Sequence, residues 1–306
     1  MSVPFITDDI EKHLDWQELI AALEAGHALP RAEIADSFLY RGRDTLLSRA
    51  AWIDGLGALV KTATIFPENA PQEVPTINGG VALYSDRNGL LDAMLDFHLV
   101  TKWKTAGDSL LAASKLARPD SRAITLVGAG TVSRSMHDAY RALFPDARFT
   151  IWNRSAASAQ RFADTAENTV ASDDLESAVR GADIICTATM SREPVVKGEW
   201  LQPGQHLDLI GAFRPDMREV DDTALTRAAL FVDSRATVLD HIGELKDPLA
   251  RGVIASDHVQ ADFYDLDKNA FKRPSDQAIT IAKNGGGAHL DLMTANYIYT
   301  KWSEYL

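Results

Sequence analysis

Apolar positions recur at helical spacing at Leu14, Trp16, Leu19, Ile20 and Leu23, predicting an amphipathic helix near the start of the chain. The period then changes. Around 43–54, 55–66 and 79–86, β-branched and small apolar residues alternate with polar ones between Gly and Asp turns, predicting strands. Residues 91–116 carry helical spacing and stop before Arg118-Pro119. From Ala123 short apolar runs take over: AITLVG, ARFTIWN, ADIICTAT, QHLDLIGA and ALFVDS. Helical patterns lie between the first three and before the last, which predicts parallel strands with both sheet faces covered. After Ser275 come a strand, the cluster Gly285-Gly286-Gly287 and an amphipathic helix, expected to return to the first domain. The reading is an α/β chain. A doubly wound parallel sheet spans 121–275, and a discontinuous α+β domain combines 1–120 with 276–306.

Composition narrows the function. The 31 basic and 43 acidic residues give a net charge of −12, the wrong sign for a nucleic-acid binder or an anionic membrane surface as partner. The single cysteine, Cys186, excludes an internal disulfide and a Cys-rich metal site, and fits a reducing, cytoplasmic compartment. As a free Cys it is expected in the core rather than at a reacting centre. The opening MSVPFITDDIEKHLDW has neither the basic nor the apolar region of a signal peptide. No apolar run reaches the ~18–20 residues of a membrane span.

Gly128-Ala129-Gly130, followed by Ser133 at the third position, joins a strand-like run to a helix-like one. A second strand ends about 20 residues further on. In a dinucleotide site Gly128 allows the tight turn, and Gly130 lets a pyrophosphate approach the free N–H groups of the helix N-terminus. Thr131 and Val132, which open that helix, are further candidate contacts. The alternative is an ordinary glycine turn. Past the second strand stand Asn153, Arg154 and Ser155, with none of the Asp or Glu that accepts from an NAD ribose. Arg can bind a 2′-phosphate with a charge-assisted fork, so NADPH is expected over NADH, the alternative being an exposed strand-end arginine. Thr187 and Thr189, at the end of the ADIIC strand, are candidates to line the same crevice.

Arg49 and Lys61 flank a hairpin signal at Asp54-Gly55. A turn there sets them opposite one another, or one diagonal apart. Like charges so placed repel unless an anion, such as a substrate carboxylate, lies between them. The alternative is two solvated basic residues on an exposed face. Lys104 is a candidate third cation.

Together these segments resemble the ornithine cyclodeaminase/mu-crystallin family over nearly the whole chain. The resemblance rests on Ser48-Arg49-Ala50-Ala51, Gly57 to Lys61 with Phe66-Pro67-Glu68-Asn69, and Leu95-Asp96 leading to Thr101 and Lys104-Thr105-Ala106. It continues through Val127 to Gly130, Ile151 to Arg154, Thr187-Ala188-Thr189, Gly198 to Gly204, Gly211 to Glu219 and Val232-Asp233-Ser234. It implies a homodimer with a Rossmann domain and a second domain, built from both chain ends, that carries the dimer contact. It places Arg49 and Lys61 at substrate-carboxylate and catalytic-cleft positions. Asn153, Arg154 and Ser155 match the NADP-type variant. Three departures stand out. Lys104 replaces an arginine, losing its bidentate fork. Phe213 replaces a small polar residue, and His289 stands where Gln is common.

The function expected on these grounds is reduction of a small 2-imino acid by NADPH, the substrate being a cyclic ketimine such as pyrroline-2-carboxylate or piperideine-2-carboxylate, or acyclic iminosuccinate. Arg49 and Lys104 hold the carboxylate, Lys104 also being a candidate cofactor contact. Lys61 orients the imine. Asp291 and Asp233 are candidate proton relays, each with the alternative of a cap or surface carboxylate. Three rivals use the same scaffold: an ornithine cyclodeaminase with bound NAD, an amino-acid dehydrogenase such as alanine dehydrogenase, and a non-enzymatic small-ligand binder.

Overall fold

The computed structural model describes residues 3–72 and 74–305, and the chain divides into two compact units. The first, 1–104 with 287–306, opens with β1 (Phe5–Ile6), α1 (Trp16–His27) and the antiparallel run β2 (Glu33–Arg41), β3 (Asp44–Ile53), β4 (Gly57–Ile65), β5 (Ile77–Tyr84) and β6 (Leu91–Asp96). The sheet order is β1-β6-β5-β4-β3-β2, with β1 parallel to β6. Alternation builds its inner face: Ala51, Ile53, Leu59, Ala63, Val81, Leu83, Ala93 and Leu95 are buried at period two. Lys61 stands in the middle of that row, buried at 5% exposure.

The helix α2 (Phe97–Leu116) carries the boundary between the units. The second unit, 105–286, is a parallel sheet wound in both directions. Its elements are β7 (Ala123–Val127), α3 (Thr131–Leu143), β8 (Arg148–Trp152), α4 (Ala156–Ala163), β9 (Thr169–Ser172), α5 (Leu175–Arg180) and β10 (Ile184–Thr187), then β11 (His206–Leu209), α6 (Asp222–Arg227), β12 (Ala229–Val232), α7 (Arg235–Val238), α8 (Gly243–Ala250), β13 (Val259–Ala261) and β14 (Thr280–Lys283). The order β13-β12-β14-β11-β10-β7-β8-β9 reverses direction between β7 and β10, where the chain turns back after β9. Ligands of such sheets bind beyond the carboxyl ends of the strands at that switch point. Val127, Ile185, Leu207, Leu209, Leu230 and Ile281 pack one face of the sheet. Cys186 is fully buried, and burial pushes its thiol up, away from reactivity. Last comes α9 (Ala288–Glu304), which returns to the first unit and lies on β3, β4 and α1.

Three expectations need correction. Residues 91–96 form β6 rather than the first turns of a helix. Ala93 and Leu95 point to the inner face, and cross-strand pairing with β5 overrides the local helical spacing. The units divide at 104/105 and 286/287, not at 120/121 and 275/276, because the stop at Arg118-Pro119 ends a helix and not a packing unit. The strand after Ser275 does not return to the first domain. It is β14, paired between β11 and β12 in the second sheet, and only α9 crosses back.

Candidate active site

The register of β3 and β4 sets Arg49 directly opposite Lys61, one of the two arrangements expected of a turn at Asp54-Gly55. Each cation has a carboxylate. Asp36, opposite Arg49 on β2, accepts from its Nε at 3.3 Å and its Nη2 at 2.8 Å. Asp291, in the first turn of α9, lies with Oδ1 2.8 Å from Lys61 Nζ and Oδ2 3.7 Å from Arg49 Nη1. The anion that relieves the repulsion is thus the protein's own. Asp291 is fully buried, which excludes a surface role. Lys61 Nζ also donates to Thr101 Oγ1 at 2.8 Å and sits 4.7 Å from the centre of the Phe97 ring. Lys104 is buried in the same cluster.

The electrostatics follow from that burial. Desolvation pushes the Lys61 ammonium down to about 8. Asp291 opposes the shift, while Lys104 and Arg49 add to it. Burial alone would raise the Asp291 carboxyl, but Lys61, Lys104 and Arg49 outweigh it and hold it below the usual carboxylate range. Burial, and then His27, push His289 well below the ordinary imidazole range, so it enters the cluster neutral. Three cations therefore face one buried carboxylate, with Asp36 on the flank. This excess of positive charge suits a small carboxylate, beside an ammonium able to give up its proton near neutral pH.

The second unit brings together most of the predicted dinucleotide residues. Gly128 adopts φ +107, and a Cβ there would lie 2.7 Å from the Ala188 carbonyl, so the turn after β7 requires glycine. Gly130 is the N-cap of α3, with no side-chain cap and open space where its Cβ would be. Thr131 and Val132 are exposed beside it, so the first N–H groups of a 13-residue helix are available to an anion. Ser133 is buried and donates to the Gly128 carbonyl. Asn153 accepts from the Ala129 N–H at 3.3 Å and donates to the Ser155 carbonyl at 3.2 Å. Arg154 is exposed, and Ser155 caps α4. These features fit a dinucleotide whose pyrophosphate lies at the α3 N-terminus and whose ribose lies near 153–155.

Two candidates are placed elsewhere. Thr187 is fully buried, with its hydroxyl 3.4 Å from the Asp208 carbonyl, so its side chain belongs to the sheet interior. Asp233 is buried, accepts from the N–H groups of Ser234, Gly285 and Gly286, and so braces the glycine cluster. Thr189 directs both its N–H and its hydroxyl to Glu219. Asp36 and Glu219 escaped the sequence reading. Asp36 lies on a strand no pattern announced, while Glu219 stood in a motif carrying no chemistry of its own.

The model of the Ornithine cyclodeaminase/mu-crystallin family matches residues 52–305. A Delta(1)-pyrroline-2-carboxylate reductase of Paracoccus denitrificans is 49% identical over 296 residues, covering 95% of this chain and 94% of the relative. The solved structure of Thermococcus litoralis Delta(1)-pyrroline-2-carboxylate reductase in complex with NADH and L-proline superposes with a TM-score of 0.91 at 25% identity, covering 99% of this chain and 98% of that one. An archaeal alanine dehydrogenase dimer with bound NAD gives a TM-score of 0.90 at 27% identity, covering 100% and 98%.

Proposed function

This chain belongs to the ornithine cyclodeaminase/mu-crystallin family, and from that premise we propose that it reduces a small cyclic 2-imino acid, Δ1-pyrroline-2-carboxylate first among them, with a nicotinamide dinucleotide. The observation that carries this reading is the buried cluster in which Lys61, paired with Asp291 at 2.8 Å, stands opposite Arg49 in register. The carboxylate of the imino acid goes to the excess positive charge of Arg49 and Lys104. Lys61 lies between carboxylate and ring nitrogen. With its ammonium at about 8, it can give the nitrogen a proton, and the ionised Asp291 keeps it charged until then. The reduced nicotinamide, when bound, supplies the hydride for the imine carbon. The C=N bond thereby gains one hydride and one proton, giving the saturated amino acid and oxidised cofactor.

The cofactor proposed is NADPH in preference to NADH. Support comes from the exposed Arg154 and the absence of any carboxylate among 153–155, where one would repel a 2′-phosphate. We also propose a homodimer, supported by β2. All nine of its residues are exposed, with Phe38, Leu39 and Tyr40 at 48%, 66% and 74%. So long a bare apolar edge strand calls for a covering surface.

The test is cofactor oxidation by the purified protein with Δ1-pyrroline-2-carboxylate, Δ1-piperideine-2-carboxylate and iminosuccinate, each with NADPH and NADH. Turnover fastest with the five-membered ketimine and NADPH is expected. No oxidation with any imine, together with ammonia release from ornithine by the protein as purified, would move the chain to the cyclodeaminase branch.

A further inference from the structure

On the reading that the second unit holds a nicotinamide dinucleotide, we propose that Glu219 is the positioning residue of the cofactor crevice, joining the loop after β10 to the loop after β11. Its carboxylate is fully buried and every partner is a donor. Oε1 accepts from the N–H and the hydroxyl of Thr189, each at 2.8 Å, and Oε2 accepts from the N–H of Gly211 at 2.8 Å and of Ala212 at 3.1 Å. The first loop follows β10 and the second follows β11, both at the carboxyl edge where the sheet binds its ligand. The first loop also presses on the phosphate turn, since Ala188 and Thr189 are what a Cβ at Gly128 would meet. One side chain therefore sets two loops of the crevice and, through the first, bears on a third.

The surroundings hold Glu219 in turn. Glu244, also buried, accepts the N–H of Glu219 at 2.7 Å and of Val220 at 3.0 Å. Lys283 donates to the carbonyls of Leu209, Ala212 and Asn284 at 2.7, 2.7 and 2.8 Å. Ala212 is thus fixed through its N–H by Glu219 and through its carbonyl by Lys283. Gly211 has no room for a side chain, because a Cβ would run into the Thr189 backbone and Glu219 Oε1. A carboxylate is what this place needs: glutamine has the same shape but would turn an NH2 donor against N–H donors.

The experiment is a fluorescence titration of the protein, without imine, with NADPH and separately with NADH, alongside thermal melting and kcat. In Glu219→Gln, both dissociation constants should rise tenfold or more and by similar factors, since Glu219 bonds the loops after β10 and β11, whereas the 153–155 segment assigned to the ribose follows β8. The turnover number should fall as well. Thr189→Val, which removes one donor at equal volume, should shift both constants in the same direction by less, and Thr189→Ser should restore them. A folded Glu219→Gln that melts earlier but binds and turns over normally overturns the proposal, as does weakening confined to NADPH. If Glu219→Gln does not fold, an unaltered Thr189→Val decides against it. If the unaltered protein binds neither dinucleotide, the proposal falls together with the reading it rests on.

Discussion

Lys61 Nζ and Asp291 Oδ1 lie 2.8 Å apart although 230 positions separate them along the chain. One comes from a strand near the start and the other from the last helix; both are buried, Lys61 in a row of the sheet whose other buried members are Ala, Ile, Leu and Val. Burying an ion pair rarely stabilises a fold by itself, whereas removing one partner costs about 3–5 kcal/mol because the other is left uncompensated. Such a pair in the middle of a sheet face supports the reading of this cluster as the functional site. Asp291→Asn should therefore lower the melting temperature and abolish most turnover, since Lys61, Arg49 and Lys104 then repel one another with only Asp36, on Arg49, as counter-charge. A melting curve like that of the unaltered protein would contradict this account of the pair.

Lys61→Met keeps the length and apolar stem of the side chain and removes its ammonium. The value of kcat/KM for the imino acid should fall by at least about a hundredfold, the lower range for a lost general acid. Dinucleotide affinity, read by fluorescence titration, should stay near normal, because Lys61 belongs to the first unit and the glycine turn to the second. Full retention of kcat/KM would remove Lys61 from the reaction.

The depressed Lys61 ammonium sets a pH dependence with a definite sign. Below about 8 it is charged and can both attract the carboxylate and donate its proton; above, it is neutral and does neither. The kcat/KM for the imino acid should thus be level on the acid side of about 8 and fall on the alkaline side, by about tenfold per pH unit at the limit. Asp291 opposes the depression, so any residual activity of Asp291→Asn should lose its plateau at lower pH than the unaltered protein. A profile level through the alkaline range would show that Lys61 is not the titrating group.

Arg154→Asp tests the cofactor preference. A carboxylate at this strand end accepts from a ribose 2′-hydroxyl and repels a 2′-phosphate. The ratio of kcat/KM for NADPH over NADH should drop by about tenfold or more, with the loss of a charge-assisted contact supplying much of the change. Identical kinetics with both cofactors before and after the substitution would take Arg154 out of the site.

How much of this was legible in the sequence depended on whether the signal was local. Asp54-Gly55 gave the hairpin and hence the Arg49–Lys61 pairing, because the short turn at 54–56, between Ile53 and Gly57, sets the register locally. Gly128 and Gly130 gave the glycine turn between β7 and α3, which is likewise a local signal. Asp291 could be singled out as a carboxylate but not placed, since nothing local links the last helix to β4. The segment 91–96 misled because six residues of mixed spacing fit either period, and the partner strand decided. Thr187 could not be placed from the sequence: its side chain is buried in the sheet, while Thr189, two residues on in the loop, turns its hydroxyl to Glu219. β2 was invisible because none of its residues is buried in the single chain, so neither face follows a core pattern.

That exposure of β2 supports the last prediction. Ile34, Phe38, Leu39 and Tyr40 are exposed on one edge strand, and Trp52 of the neighbouring β3 is 57% exposed. Beside them runs a largely apolar groove of about 480 Å³, lined among others by Ile34, Ala51, Trp52, Leu59 and Val60. A lone molecule of net charge −12 would keep this surface wet at a cost of roughly 25 cal/mol per Å² of apolar area, and a second copy offers the same apolar strand in return. Light scattering should give twice the 33.5 kDa of one chain. Leu39→Glu with Tyr40→Glu should shift the mass to that of one chain while the dinucleotide still binds, because these side chains lie outside the second unit. A monomeric unaltered protein, or a double variant that stays dimeric, would show that β2 is covered by something other than a second copy.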